Sequence, residues 1–210
     1  MSKIALITTS TRPNRIGHHV TAWVRSVLES SNASSDVSLT TVDASTFNLP
    51  LFNDTVLPAM APTPNSLTSP QGTAWSAEIS KYDGYILFAN EYNFGMSAAT
   101  KNAVDWLYHA WIGKPIMIVS YGIMGGASAS EQLKGCLTGM HLRVVETRPQ
   151  LGFEGGPKGE DMGRAIGGVL GEGSVALWER EKREEVLKGF GELKELLKEK
   201  PVEKGEKAEA

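Results

Sequence analysis

The feature that most constrains this chain is an alternation: short apolar runs of strand length, each followed by a stretch with helical spacing. Ile4-Ala5-Leu6-Ile7 is apolar throughout, as in a strand buried on both faces, and Val20, Trp23, Val24 and Val27 follow at helical spacing. Ser38–Val42 reads as a second strand. From Leu49 to Pro70 the chain is rich in Pro, Asn, Ser and Thr and reads as a long loop. Trp75, Ile79 and Tyr82 mark a short helix, and Tyr85–Ala89 a third strand reached through Asp83-Gly84. Ala99, Asn102, Ala103, Trp106, Leu107 and Ala110 define one face of a helix over Ala98–Ala110. Ile116–Ser120 reads as a fourth strand, Ser128–Leu137 as a helix and Leu142–Glu146 as a fifth strand. The glycine-rich stretch 154–173 reads as loop, and Val186, Phe190, Leu193 and Leu197 give a last amphipathic helix. This order implies an α/β fold: a five-stranded parallel sheet, doubly wound by right-handed crossovers, with helices on both faces. Such sheets bind ligands beyond the carboxyl ends of their strands, so the loops after strands one, three and four are where function is sought.

The 210 residues fit one domain over 1–198, followed by a charged tail, 199–210, expected to be disordered. A net charge of −3 gives no footprint for nucleic acid. No apolar run approaches the roughly 20 residues of a membrane span. Met1-Ser2-Lys3 lacks the flanks of a signal peptide, which makes the cytoplasm the expected location. The single cysteine, Cys136, rules out an intrachain disulfide or a cysteine metal cluster and reads as a core residue. His18, His19, His109 and His141 form no ligand pattern, so no metal is expected.

Thr8-Thr9-Ser10-Thr11-Arg12-Pro13-Asn14-Arg15-Ile16-Gly17 joins the first strand to the first helix. Hydroxyls, two guanidinium groups and the free N–H groups of a helix N-terminus suit a phosphate monoester. Ser10, Arg12, Arg15 and Gly17 are the candidate phosphate ligands, with His18 beside them, where a surface histidine at a helix start is the plainer reading. No Gly-x-x-x-x-Gly-Lys-Ser/Thr or Gly-x-Gly-x-x-Gly is present, which disfavours a triphosphate or a dinucleotide at this loop. The same residues would also serve as a polar surface turn.

Asn90-Glu91-Tyr92-Asn93-Phe94-Gly95-Met96-Ser97 leads into Thr100-Lys101-Asn102-Ala103-Val104-Asp105-Trp106, and Ser120-Tyr121-Gly122-Ile123-Met124-Gly125-Gly126 ends the fourth strand. Together with Ser10, Arg12 and Arg15, these segments resemble the NADPH-dependent FMN reductases of flavodoxin-like fold, which include quinone, azo-dye and chromate reductases. The family's Gly-Ser-x-Arg pattern appears with Thr9 in place of glycine. Its Pro-Glu-Tyr-Asn appears with Asn90 in place of proline, and Met96-Ser97-Ala98-Ala99 lacks the usual proline-glycine. The resemblance implies a strand order of 2-1-3-4-5 and bound FMN with NADPH or NADH as co-substrate. It implies flavin contacts from Glu91, Tyr92, Asn93 and Phe94 and from Ser120, Gly122, Gly125 and Gly126. Tyr92 or Phe94 would wall the ring, and Lys101, Asn102 and Asp105 would fix the helix. No protein side chain is expected to be catalytic, because the flavin carries the hydride chemistry.

The function these features imply is hydride transfer from NAD(P)H through FMN to a small-molecule acceptor: a quinone, an azo compound, a metal oxyanion or free flavin. Homodimers or dimers of dimers are expected, with Trp106, Tyr108, His109 and Trp111 placed at an interface in preference to the core. A non-enzymatic flavodoxin-type electron carrier is the alternative. It is disfavoured because such carriers are strongly acidic, which steers them to basic partners. A flavin-free, partner-binding subunit is the third reading.

Overall fold

The computed structural model describes residues 1–199. The tail expected to be disordered lies outside the described residues, except for Glu199.

Four long parallel strands form the sheet. β1 (Ser2–Thr8) lies between β2 (Val37–Asp43) and β3 (Gly84–Tyr92), and β3 pairs on its other side with β5 (Pro115–Tyr121). Between these two, β4 (Gly95–Met96) folds back antiparallel on β3. Ile4 is opposite Leu39 in β2 and Gly84 in β3, which fixes the register. The order of the long strands is the expected one. The fifth strand, expected as one run over Leu142–Glu146, is instead two rungs on β5: β6 (Arg143–Val144) and β7 (Gln150–Leu151). Pro149 accounts for part of the break, because it has no N–H for a ladder. Between the rungs, the Thr147 N–H and hydroxyl donate to the Glu192 carboxylate, at 2.8 and 2.5 Å.

Alternate residues of β1 enter different cores. Ala5 and Ile7 pack with Trp75, Leu87, Trp106, Trp111, Ile118 and Leu133, under α2 (Pro70–Ser80), α3 (Ala98–Asp105) and α4 (Ala127–Gly139). Ile4 and Leu6 pack with Val20, Val24, Phe88, Val119, Trp178 and Phe190, under α1 (Gly17–Ser30), α6 (Glu172–Glu181) and α7 (Arg183–Lys198). Each such side chain contributes about 1.5–3 kcal/mol of transfer free energy. Trp106 and Trp111 are thus core residues, which corrects their expected place at an interface; Tyr108 and His109 remain half-buried. Cys136 is also half-buried, and Leu133 and Leu137 fill the core position expected for it.

Two helices differ from expectation. The helix starting at Ala98 stops at Asp105, before Trp106, Tyr108 and His109, which are weak helix formers; Leu107 and Ala110 are buried from a following turn. The segment expected to be loop contains α5 (Glu160–Ile166), whose glycines masked it. Its Asp161 carboxylate accepts from the backbone N–H and hydroxyl of Ser174, at 2.5 and 2.8 Å, which ties α5 to α6. The long loop is pinned as well. Asp54 accepts from Val56 N, Thr68 N and Ser69 N, and Asn102 donates to the Pro50 carbonyl and accepts from Phe52 N.

Candidate functional site

A cavity of about 270 Å³ opens at the carboxyl ends of β1, β3 and β5. Ser10, Arg12, Arg15, Glu91, Tyr92 and Gly122 line it, so the structure gathers residues from all three loops singled out in the sequence. Gly17, His18, Asn93, Phe94, Ser120, Gly125 and Gly126 are not among its lining residues. The wall also includes residues that sequence reasoning missed: Asn90 and Tyr121 from the strand ends, Phe153, and Met162, Ala165 and Ile166 from α5.

At the β1 end, Thr8, Thr9 and Ser10 are buried, and α1 begins at Gly17 without a side-chain cap. The first N–H groups of a helix have no intrahelical partner, so this end is open to an anion. Gly17 is required by close approach: a Cβ there would lie 2.2 Å from Ser10 Oγ and 2.7 Å from the Tyr121 hydroxyl. Arg15 is already engaged. It pairs with both Asp43 oxygens, at 2.9 and 2.6 Å, and donates to the Ser10 carbonyl. Desolvation opposes ionisation of Asp43, but the Arg15 guanidinium and Ser45 outweigh it and hold the carboxyl below its usual range. The Arg15 guanidinium is raised in turn by Asp43. Arg12 donates to the carbonyls of Asn14, Ala165 and Ile166, so it closes the end of α5 against the loop. His18 is exposed; its imidazole is held below its ordinary pKa by partial desolvation, by His19 and by Arg15.

At the β3 end, the expected loop is a two-residue hairpin. Tyr92 pairs with Gly95 across Asn93 and Phe94, whose φ values are +50° and +60°. Positive φ at both central positions is the turn that matches strand twist, and asparagine tolerates it. Phenylalanine is strained there and is still 85% exposed. The Glu91 carboxylate caps α4 by accepting from Ala129 N at 3.1 Å. Ser120 turns inward, donating to the Gly125 carbonyl at 2.8 Å. Gly125 and Gly126, at φ +91° and +78°, shape the turn into α4 from behind the cavity wall.

Among the described residues, four buried side-chain polar atoms lack a partner: Ser10 Oγ, Asn90 Nδ2, Trp111 Nε1 and Arg148 Nε. The first two belong to residues that line this cavity. Buried polar groups are nearly always paired, so a pair of orphans on one cavity marks a place for a ligand with polar atoms. The uncapped helix start and the mixed polar and apolar lining fit a phosphate-bearing ring such as FMN. No group of three or more His, Cys, Asp or Glu side chains among the described residues is placed to hold a metal.

Comparison with known proteins agrees with this geometry. The oxidoreductase of Corynebacterium diphtheriae has a similar structure, with a TM-score of 0.62, 14% identity and coverage of 94% of this chain and 97% of that one. Flavodoxin 1 of Bacillus cereus superposes with a TM-score of 0.50 at 13% identity, covering 92% and 98%. These identities speak for the flavodoxin-like fold alone. The sequence carries more: it is 45% identical over 201 residues to the NAD(P)H-dependent FMN reductase ntnL of Nectria sp, covering 94% of this chain and 98% of that protein. The family pattern described as NADPH-dependent FMN reductase matches residues 2–155, a span that holds every strand and all three loops of the cavity, and the chain therefore belongs to that family of oxidoreductases.

Proposed function

We propose that this chain holds FMN in the cavity at the carboxyl ends of β1, β3 and β5, takes hydride from NAD(P)H and passes electrons to a small planar acceptor. The observation that carries this reading is the pair of unpartnered buried atoms, Ser10 Oγ and Asn90 Nδ2, on one cavity beside an uncapped helix N-terminus. Reductases of this family use FMN with NAD(P)H as co-substrate. Bound flavin supplies the hydride chemistry.

The residues of the chain do the rest. Ser10 and the first N–H groups of α1 hold the phosphate. Arg15, locked to Asp43 and donating to the Ser10 carbonyl, fixes the loop that presents Ser10. Glu91, Tyr92 and Gly122 border the ring end, and Gly122 leaves its face open. The cavity lining includes exposed apolar side chains, Tyr92, Ile123 and Ile166, which favour a flat aromatic acceptor such as a quinone over a metal oxyanion; azo compounds and free flavin share that flatness. A homodimer in the cytoplasm belongs to the same reading. No helix among the described residues is long and apolar enough to cross a membrane.

The test is direct. The purified protein should be yellow or take up FMN stoichiometrically, release it on denaturation and oxidise NADPH when a quinone is supplied. Tight FMN binding without NADPH or NADH turnover across all four acceptor classes would overturn the enzymatic part of the proposal. Failure to bind FMN would overturn the whole.

A further inference from the structure

Asn90 is 3% exposed and stands at the end of β3, on the cavity wall next to Glu91 and Tyr92. One side of its amide is anchored: Oδ1 accepts from Ser97 Oγ at 2.9 Å. Ser97 Oγ lies 3.0 Å from Thr100 Oγ1 and also accepts the Thr100 N–H. Thr100 Oγ1 is 2.7 Å from Thr9 Oγ1, which donates to the Phe88 carbonyl at 2.8 Å. All four side chains are buried. With the single Thr9 proton on Phe88, Thr100 donates to Thr9. The Ser97 hydroxyl, donating to Oδ1, holds the amide with its NH2 group on the cavity side, where it has no partner. Thr9 and Asn90 are two of the positions at which this chain departs from the family pattern, and the hydroxyl chain joins them.

We propose that Asn90 is a positioning and tuning residue for the flavin ring, donating a hydrogen bond from Nδ2 to an acceptor atom on it, with Ser97 holding the other side of the amide. This rests on the FMN reading above. Hydride addition puts two electrons and one proton on the ring and leaves it more negative. A neutral donor in a buried wall therefore binds the reduced ring more tightly than the oxidised one. An orphaned buried amide is costly, and an acceptor atom on a ligand in this cavity would remove that cost.

The experiment compares wild type, Asn90→Leu and Ser97→Ala for FMN dissociation constant, flavin midpoint potential and the infrared carbonyl bands of bound FMN. Asn90→Leu keeps the branched shape and removes the donor. It should weaken the preference for reduced over oxidised FMN by about tenfold, a fall in potential of about 30 mV for a two-electron couple. A flavin carbonyl band should shift with it. Ser97→Ala frees the amide without deleting it and should give a smaller fall in the same direction. If Asn90→Leu fails to fold, the Ser97→Ala potential and band shift decide alone. Wild-type potential and bands in every folded variant that binds FMN would overturn the role of Asn90 and leave the FMN reading intact; a wild-type protein that takes up no FMN would overturn that reading instead.

Discussion

The two ends of the cavity are built on opposite plans. At the β1 end the charged side chains are already engaged: Arg15 with Asp43 and the Ser10 carbonyl, Arg12 with the last carbonyls of α5. At the β3 end the groups are left uncommitted or strained: an unpaired Asn90 amide, a half-exposed Tyr92, and Phe94 held at positive φ in solvent. Under the proposed function the β1 end receives a phosphate that is the same in every turnover, so a rigid, prepaired cradle would lose little entropy when it binds. The ring end would admit two different partners in turn, and open, apolar, adaptable surface suits that task. The contrast predicts that changes at the β1 end act on stability and FMN retention together, whereas changes at the β3 end separate them.

Gly17→Val is the most damaging of the changes considered. The new side chain would collide with Ser10 Oγ and the buried Tyr121 hydroxyl; overpacking of this kind costs about 1–3 kcal/mol of stability, and the displaced Ser10 hydroxyl should weaken FMN binding as well. Titration with FMN should show that loss alongside a lower melting temperature; unchanged FMN affinity would break the picture of a rigid phosphate end.

Asp43→Asn comes next. It leaves the Arg15 guanidinium without its ionic partner in a site where the side chains are 18% and 27% exposed, at a cost of about 1–3 kcal/mol. The pH dependence follows from the sign of the shift. Asp43 titrates below its unfolded value, so its stabilisation is complete above about pH 4 and is lost as pH falls through the lower folded-state pKa. Urea midpoints measured from pH 7 downward should show an acid limb that is shallower in the variant. An identical limb in both proteins would remove Asp43 from the account.

Phe94→Gly should move the two readouts apart. It relieves about 1–2 kcal/mol of backbone strain against the ~0.5–1 kcal/mol that glycine loses in chain entropy, so the melting temperature rises slightly. KM for a quinone should rise, because an aromatic side chain is lost from the hairpin at the rim. A more stable variant with unchanged KM would mean that the strained turn has no part in acceptor binding. The smallest effect belongs to Lys101→Ala. The Lys101–Asp105 pair, 45% and 39% exposed, holds only the helix surface, and its loss should cost about 0.3–0.5 kcal/mol with FMN affinity unaltered.

Much of this architecture was legible in the residues. Continuous apolar runs at Ile4–Ile7, Tyr85–Ala89 and Ile116–Val119 leave few alternatives to central parallel strands, and the three loops after them meet where the topology requires. What stayed hidden depended on distant partners. In Gly159–Gly168 the local signals of α5, Glu160 and Asp161 in its first turn and Arg164 in its last, are outweighed by the glycines around them, and its order rests on Asp161 binding Ser174 and on Arg12 closing its last turn. Asn93 hinted at a tight turn, but Phe94 did not. Spacing likewise does not show that Arg15 faces Asp43, that Glu91 caps α4, or that Ser10 and Asn90 are the side chains left unpaired.

The split fifth strand has a consequence for the sheet margin. A foreign strand adding to this side would meet two rungs, β6 and β7, separated by Pro149 and by a Thr147 N–H already committed to Glu192. The described residues offer no continuous ladder there, so edge-to-edge growth into larger sheets is opposed on that flank by the proline and by one carboxylate of α7. Partly unfolded chains that lose the Glu192 contact would be the ones to stick.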